Sequence, residues 1–205
     1  VTASSVVETD KAHVPEVEAS WDELGSEAAV DRFYELLTPT DYTPASKRIE
    51  RVGRRIAKYN EPQQAVIEAA RWAQAELKYV AGTTGVHSSG LDALREGKGV
   101  CQDFAHLTLI LLRGMGIPAR YVSGYLHPTR NAKLGDVVDG QSHAWIQAWT
   151  GEWWNYDPTN DTEINEQYIS VGVGRDYADV TPLKGIYSGA GSTDLDVVVE
   201  ITRLA

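Results

Sequence analysis

The stretch that decides the reading runs Gly99-Val100-Cys101-Gln102-Asp103-Phe104-Ala105-His106-Leu107 and continues through Leu111-Leu112 to Gly114-Met115-Gly116-Ile117-Pro118. It reads as a helix whose first residue is the only cysteine of the chain. Gly97 and Gly99 allow a tight turn into it, while Gly114, Gly116 and Pro118 end it, since glycine accepts a left-handed cap and proline cannot continue a helix. About four turns rich in Leu, Ile, Phe and Ala lie between these stops, so most of the helix should be buried. A thiol at the start of such a helix meets N–H groups without intrahelical acceptors and the positive end of the dipole, a setting that favours the thiolate. A buried structural thiol is the competing reading, and the rest of the chain must decide between them.

Composition narrows the field. The 205 residues, 42% of them hydrophobic, suffice for one large domain with a core. A single cysteine excludes an internal disulfide framework and argues for a reducing, cytoplasmic setting. No run of 18 apolar residues occurs, and the first 20 residues lack a signal-peptide core. Nineteen basic against 29 acidic residues give a net charge of −10, which disfavours nucleic acid and anionic membranes as partners. The six tryptophans and ten tyrosines exceed what a core requires, so some should line a binding surface.

Residues 1–19 read as an extended lead-in. Ser20-Trp21-Asp22-Glu23 fits a capping box, after which Val30, Phe33, Tyr34 and Leu37 repeat as one helix face. Thr43-Pro44 predicts the start of a second helix with the stripe Ile49, Val52, Ile56 and Tyr59. Asn60-Glu61-Pro62 opens a third, carrying Val66, Ala70, Ala73, Leu77 and Val80 inward, and a polar loop at 81–90 leads to a helical turn at 91–96. Beyond Pro118 the period changes to alternation. Arg120-Tyr121-Val122-Ser123-Gly124-Tyr125-Leu126 reads as a strand in which Gly124 marks a bulge or close backbone approach. A polar loop at 127–141 precedes the strand His143-Ala144-Trp145-Ile146-Gln147-Ala148-Trp149, and residues 152–157 return as its partner. Residues 159–191 read as irregular and 194–202 as a last strand.

A thiolate nucleophile needs an imidazole to carry protons and a third group to fix the ring. Of the five histidines, His13 and His87 lie in segments expected to be solvated, and His127 starts the polar loop. His106 follows Cys101 by five residues, off the cysteine's face of the helix, and reads as a partly buried, satisfied side chain. His143 begins an apolar strand after a glycine-containing loop, where a side chain can reach a site. Hairpin register then tests Asp157 as its partner. A two-residue turn at Thr150-Gly151 would put the two on opposite faces. A three-residue connection at 149–151 makes them face directly, and one at 150–152 makes them diagonal neighbours. An odd-length or bulged hairpin is therefore expected. Turn initiation by Asp-Pro is the bland account of Asp157, and first-turn helix stabilisation that of Asp103, which stays outside the catalytic set. Trp145, Trp149, Trp153 and Trp154 fit core, cleft wall or a shield for the His–Asp pair.

The motifs G-V-C-Q-D-F-A-H-L at 99–107, G-I-P-A-R-Y-V-S-G-Y at 116–125, S-H-A-W at 142–145, W-N-Y-D-P-T-N at 154–160 and G-R-D-Y-A-D-V-T-P-L-K-G at 174–185 resemble the bacterial transglutaminase-like family, whose core belongs to the papain-like cysteine peptidase group. Tyr79 and the loop after it are a weaker upstream match, so the resemblance spans roughly 79–187. It implies an α+β papain-like/transglutaminase-core fold, with N-terminal helices and the Cys-bearing helix packed on an antiparallel sheet. It also implies Cys101 as nucleophile, His143 as base and then acid, and Asp157 as orienter. The Cys101 backbone N–H is a natural oxyanion donor at a helix start, and no second donor is identified. No acidic ligand series resembling the calcium loops of animal relatives occurs, so neither metal nor cofactor is carried over. Fuller bacterial members resemble this chain with a β-rich domain in front. That makes residues 1–19 the expected end of such a domain, residues 20–205 the catalytic domain, and the chain a possible fragment.

The function expected from these residues is thiol-dependent acyl transfer on a peptide or protein amide through an acyl-thioester. Release by water makes the enzyme a peptidase or amidase, and release by an amine a transamidase. The expectation leans to hydrolysis because no acceptor feature is legible. A non-catalytic protein- or peptide-binding module that retains the fold is the alternative.

Overall fold

The structure is a computed structural model and describes residues 2–10, 13–82, 85, 87–129, 132–182 and 198–204. Three short helices open the domain: α1 (Trp21–Leu24), α2 (Glu27–Arg32) and α3 (Tyr34–Leu37). The Ser20–Glu23 capping box forms as its spacing requires. The single helix expected over 30–37 is instead interrupted at Phe33, which leaves the helical region and turns its ring against Trp149 and Trp153. Burial of that aromatic cluster outweighs the propagation of one more turn. α4 (Lys47–Tyr59) follows the N-cap Ser46 and so starts three residues later than Pro44 suggested, and Tyr59 is exposed rather than part of the buried stripe. Pro62 does occupy the first turn of α5 (Pro62–Glu76), which buries Val66, Ala70 and Ala73.

β1 (Lys78–Tyr79) pairs in parallel with β2 (Lys98–Gly99), and α6 (Gly90–Glu96) lies between them. α7 (Cys101–Met115) follows at once and is the centre of the molecule, with Phe104 through Leu112 buried. Gly97 and Gly116, both at positive φ, end α6 and α7 as left-handed caps. The helix packs on α4, α5 and α6 on one side and on the sheet on the other.

That sheet has the order β7-β6-β5-β3-β8, every neighbour antiparallel, formed by β3 (Ala119–Leu126), β5 (Gln141–Trp149), β6 (Trp153–Asp157), β7 (Thr162–Glu163) and β8 (Tyr168–Gly174). Ala144, Ile146 and Ala148 of β5 join the core around α7, whereas Trp145 belongs with Val122 and Tyr168 in a second cluster. β4 (Val137–Asp139) lies inside the expected 127–141 loop and pairs with β9 (Glu200–Thr202). The expected last strand is thus seen at its end only, since 194–197 fall outside the described residues. The segment 159–191 is not irregular throughout: it holds β7, β8 and a 3-10 turn over Tyr177–Asp179. Among the described residues no helix is long and apolar enough to cross a membrane.

Gly124 is the tightest point of the sheet. The β3–β8 register shifts between Ser123 and Gly124, and a Cβ there would run into the Ile169 carbonyl and lie 2.5 Å from Trp145 Cη2. Glycine is thus required so that the Ile169 backbone and the Trp145 ring can both close on β3 at the bulge. Gly124→Ala should lower unfolding stability by about 2–3 kcal/mol, measured by urea denaturation. An unchanged midpoint would contradict that packing.

Candidate active site

Three sequence-distant residues meet where α7 begins. Cys101 occupies the first helical position, entered through Gly99. A side chain at Gly99 would lie 2.6 Å from Asp103 Cβ, so only glycine permits this entry. Asp103 is fully buried, and its Oδ2 accepts the Val100 N–H at 2.7 Å, fixing the helix start. The hydrophobic face of α7 therefore anchors the helix, while its first turn holds the sulfur at the edge of the core.

The hairpin delivers the other two. Trp149 and Trp153 form its closing pair, so the connection is the three residues 150–152 and the register places Asp157 diagonal to His143. This is the odd-length hairpin that a shared face demanded. Nε2 of His143 donates to Asp157 Oδ2 at 2.6 Å, and the Cys101 side chain lies near enough to the same imidazole to help raise it. The His143 side chain is only 9% exposed and that of Asp157 not at all.

A buried carboxylate must have its lone pairs satisfied. Asp157 Oδ1 accepts the backbone N–H groups of Thr159 and Asn160 at 2.8 and 3.2 Å. Oδ2 accepts the Asn160 carboxamide at 2.7 Å and the Tyr168 hydroxyl at 2.8 Å in addition to the imidazole. Asn160 belongs to the D-P-T-N motif, but Tyr168 was not among the expected site residues. Its signal in the sequence is the alternation of Tyr-Ile-Ser-Val-Gly-Val at 168–173, masked by the glycines that follow.

Of the alternatives weighed for the tryptophans, Trp145 shields the pair. It is fully buried, its ring centroid is 6.1 Å from that of His143, and its indole N–H donates to Asn155 Oδ1. Trp154 is core on the α7 side, and Trp149 and Trp153 stack with Phe33 away from the imidazole. Tyr79 and Tyr121 lie near enough to Cys101 for its charge to add to burial in raising both phenols.

The other histidines stay apart from the constellation. His13 faces Glu152 at the surface and His87 is exposed beside Tyr42. His127 accepts the Thr129 N–H at 3.1 Å. His106 is fully buried, deeper than expected, between Tyr42 and Tyr121. Its Nε2 accepts the Tyr177 N–H at 3.3 Å, Nδ1 has no partner among the described residues, and burial pulls the ring down to about 3.

A helix-borne thiol set against a sheet-borne imidazole and carboxylate defines the papain-like class of α+β fold. Residues 50–158 match the transglutaminase-like superfamily, and the chain belongs to it. It is 70% identical over 205 residues to an uncharacterized protein of Mycobacterium leprae, covering all of this chain and 74% of that one. An uncharacterized Mycobacterium tuberculosis protein is 41% identical over 137 residues, 62% of this chain and 43% of its own length. Among solved structures, a candidate cysteine protease from Cytophaga hutchinsonii superposes with a TM-score of 0.68 at 27% identity, covering 90% of this chain and 62% of that chain. The chain thus spans from under half to about three quarters of these relatives' lengths.

Burial of His143 disfavours its charged form, but the hydrogen bond to Asp157 and the nearby Asp157 and Cys101 side chains outweigh this and push it up to about 9. Burial likewise opposes ionisation of Asp157, yet the bonds from His143, Tyr168 and Asn160 hold its carboxyl below the usual range. The imidazolium therefore contributes stability that is complete below its ordinary value of 6.5 and is lost as pH rises through about 9. The Asp157 contribution is present above its ordinary value of 3.8 and is lost as pH falls through the lowered native value. Urea unfolding from about pH 6 to 10 should show wild-type protein losing its advantage over His143→Gln toward the alkaline end. A difference that stays constant with pH would contradict the assignment.

Proposed function

We propose that the chain is a thiol-dependent acyl-transfer enzyme acting on peptide or protein amides, with Cys101, His143 and Asp157 as its catalytic groups. One observation carries this reading: a buried imidazole bonded at 2.6 Å to a carboxylate, with the thiol at a helix N-terminus close enough to influence its charge. Nε2 is committed to Asp157, so Nδ1 is the nitrogen that exchanges the proton with sulfur.

In the proposed reaction the Cys101 sulfur attacks the carbonyl carbon and forms a C–S bond, and the carbonyl oxygen takes the electron pair. The Cys101 backbone N–H, at the first helical position and without an intrahelical acceptor, faces that oxyanion. Collapse of the intermediate breaks the C–N bond as His143 gives its proton to the departing amine, leaving an acyl-thioester. His143 then takes a proton from water, or from an amine, which attacks the thioester and frees the sulfur. Asp157 keeps the imidazole in the tautomer and orientation that both halves need. Water gives peptidase or amidase hydrolysis and an amine gives transamidation; hydrolysis is the working reading. A reducing, cytoplasmic setting, which would keep the lone thiol uncapped, fits this chemistry. Neither the −10 charge nor the site suggests nucleic acid or an anionic membrane as the substrate's carrier.

Cys101 is the only cysteine, so alkylation reports on it alone. Iodoacetamide at pH 6 should modify wild-type protein at least about tenfold faster than His143→Ala. Peptidyl-coumarin amides test hydrolysis, and a glutamine peptide with a dansylated amine tests transamidation; Cys101→Ala should abolish either signal. Equal alkylation rates together with no turnover in either assay would overturn the enzymatic reading in favour of a binding module.

A further inference from the structure

The crowding at one oxygen of Asp157 is more than the accepted triad geometry calls for. Three donors converge on Oδ2: His143 Nε2 at 2.6 Å, the Asn160 carboxamide at 2.7 Å and the Tyr168 hydroxyl at 2.8 Å. A carboxylate oxygen has two lone pairs, so these donors share its charge rather than adding independently. Oδ1, by contrast, receives backbone N–H groups only.

Tyr168 is held for this task from three sides. It is the first residue of β8, paired with Leu126, and its N–H donates to the Asn165 carbonyl at 3.0 Å. Its ring meets Trp145 edge-on at 5.4 Å and lies 5.9 Å from the His143 ring. It is 7% exposed, so no bulk water competes for the hydroxyl. Burial and the adjacent Asp157 charge raise the phenol far above any working pH, which keeps it a donor throughout.

We propose that the Tyr168 hydroxyl, seconded by the Asn160 carboxamide, is a positioning group that shares Asp157 Oδ2 with the imidazole and thereby loosens the carboxylate's hold on the ring proton. The role in turnover rests on the Cys101–His143–Asp157 reading above; the electrostatic coupling does not. An undiluted buried carboxylate would hold the imidazolium so firmly that donation to a departing amine would slow. Two neutral donors draw part of that charge away while leaving the ring aimed. The groups that face the ring are Asp157, Cys101 and Tyr168, with Trp145 as an uncharged wall.

The test is an NMR titration of the His143 ring, its signal assigned by its loss in His143→Gln. Tyr168→Phe keeps the ring contacts and deletes only the hydroxyl. It should move the His143 midpoint upward by roughly half a unit or more, and Asn160→Ala should move it the same way. The hydroxyl-less variant should also lose several-fold in turnover of the peptidyl-coumarin amide. A midpoint that stays in place or falls in both variants would overturn the proposal, since packing by the ring alone predicts no rise. A midpoint that rises while wild-type Cys101 shows no activated alkylation would retain the coupling and reject the catalytic reading. A wild type that alkylates readily with an unmoved midpoint in the variants would do the reverse.

Discussion

A carboxylate without solvent contact is among the costliest groups a protein can bury, and Asp157 is such a group. It is tolerated because five donors surround it, two of them backbone N–H groups of the turn that follows and one the imidazole of His143. Every part of the site depends on that arrangement. The turn after β6 supplies the N–H pair, β5 supplies the imidazole, and β8 supplies the phenol. If any of these strands slipped by one residue, the carboxylate would face donors of the wrong kind or none, and its burial would become a penalty of several kcal/mol. The registers of the hairpin and the β8 edge are therefore specified by polar satisfaction as well as by apolar packing.

The same logic divides labour between the two faces of the sheet. On one face Ala144, Ile146 and Ala148 lie against α7 and are small or branched enough to let the helix approach. With the other face go His143, Trp145 and Asp157, where Tyr168 and Trp145 keep water from the ion pair. Gly124 joins the two demands: its missing side chain lets the indole and the Ile169 carbonyl approach β3 where the register with β8 shifts. The body of the helix is thus placed by nonpolar contact and the His143–Asp157 pair by hydrogen bonding.

Much of this was legible in the sequence because parity is a strong constraint. The alternation of β5 and the Thr-Gly turn fixed which connection lengths could bring His143 and Asp157 to one face, and residues 150–152 form one of them. Glycines framing 99–116 gave the helix and its first residue with equal clarity. What escaped reading was tertiary in origin. Phe33 breaks a periodic helix because Trp149 and Trp153 offer its ring a better place than another turn could. Pro44 looks like a first helical residue, yet Thr43 is occupied elsewhere: buried, it receives the Arg113 guanidinium. β8 was hidden among glycines, and with it Tyr168, because an edge strand that pairs with β3 across forty positions leaves little local trace.

Arg113 shows why the polar interior should be read as a set of struts rather than as isolated bonds. Near the end of α7 it reaches Thr43 and the carbonyls of Ala119 and Arg175, so one guanidinium ties the helix to the segment before α4, to β3 and to the turn beyond β8. Arginine suits the task because its planar fork serves several acceptors at once without changing charge state. At the opposite end of α7, Asp103 closes on the Val100 N–H and fixes the first turn. The helix is therefore clamped at both termini by side chains outside the Cys101–His143–Asp157 set. With its ends held, the sulfur cannot drift from the imidazole by sliding along the helix axis, and the remaining freedom is rotation about the Cys101 side-chain bond. That is the motion the proposed reaction asks of Cys101, from the imidazole toward a carbonyl carbon.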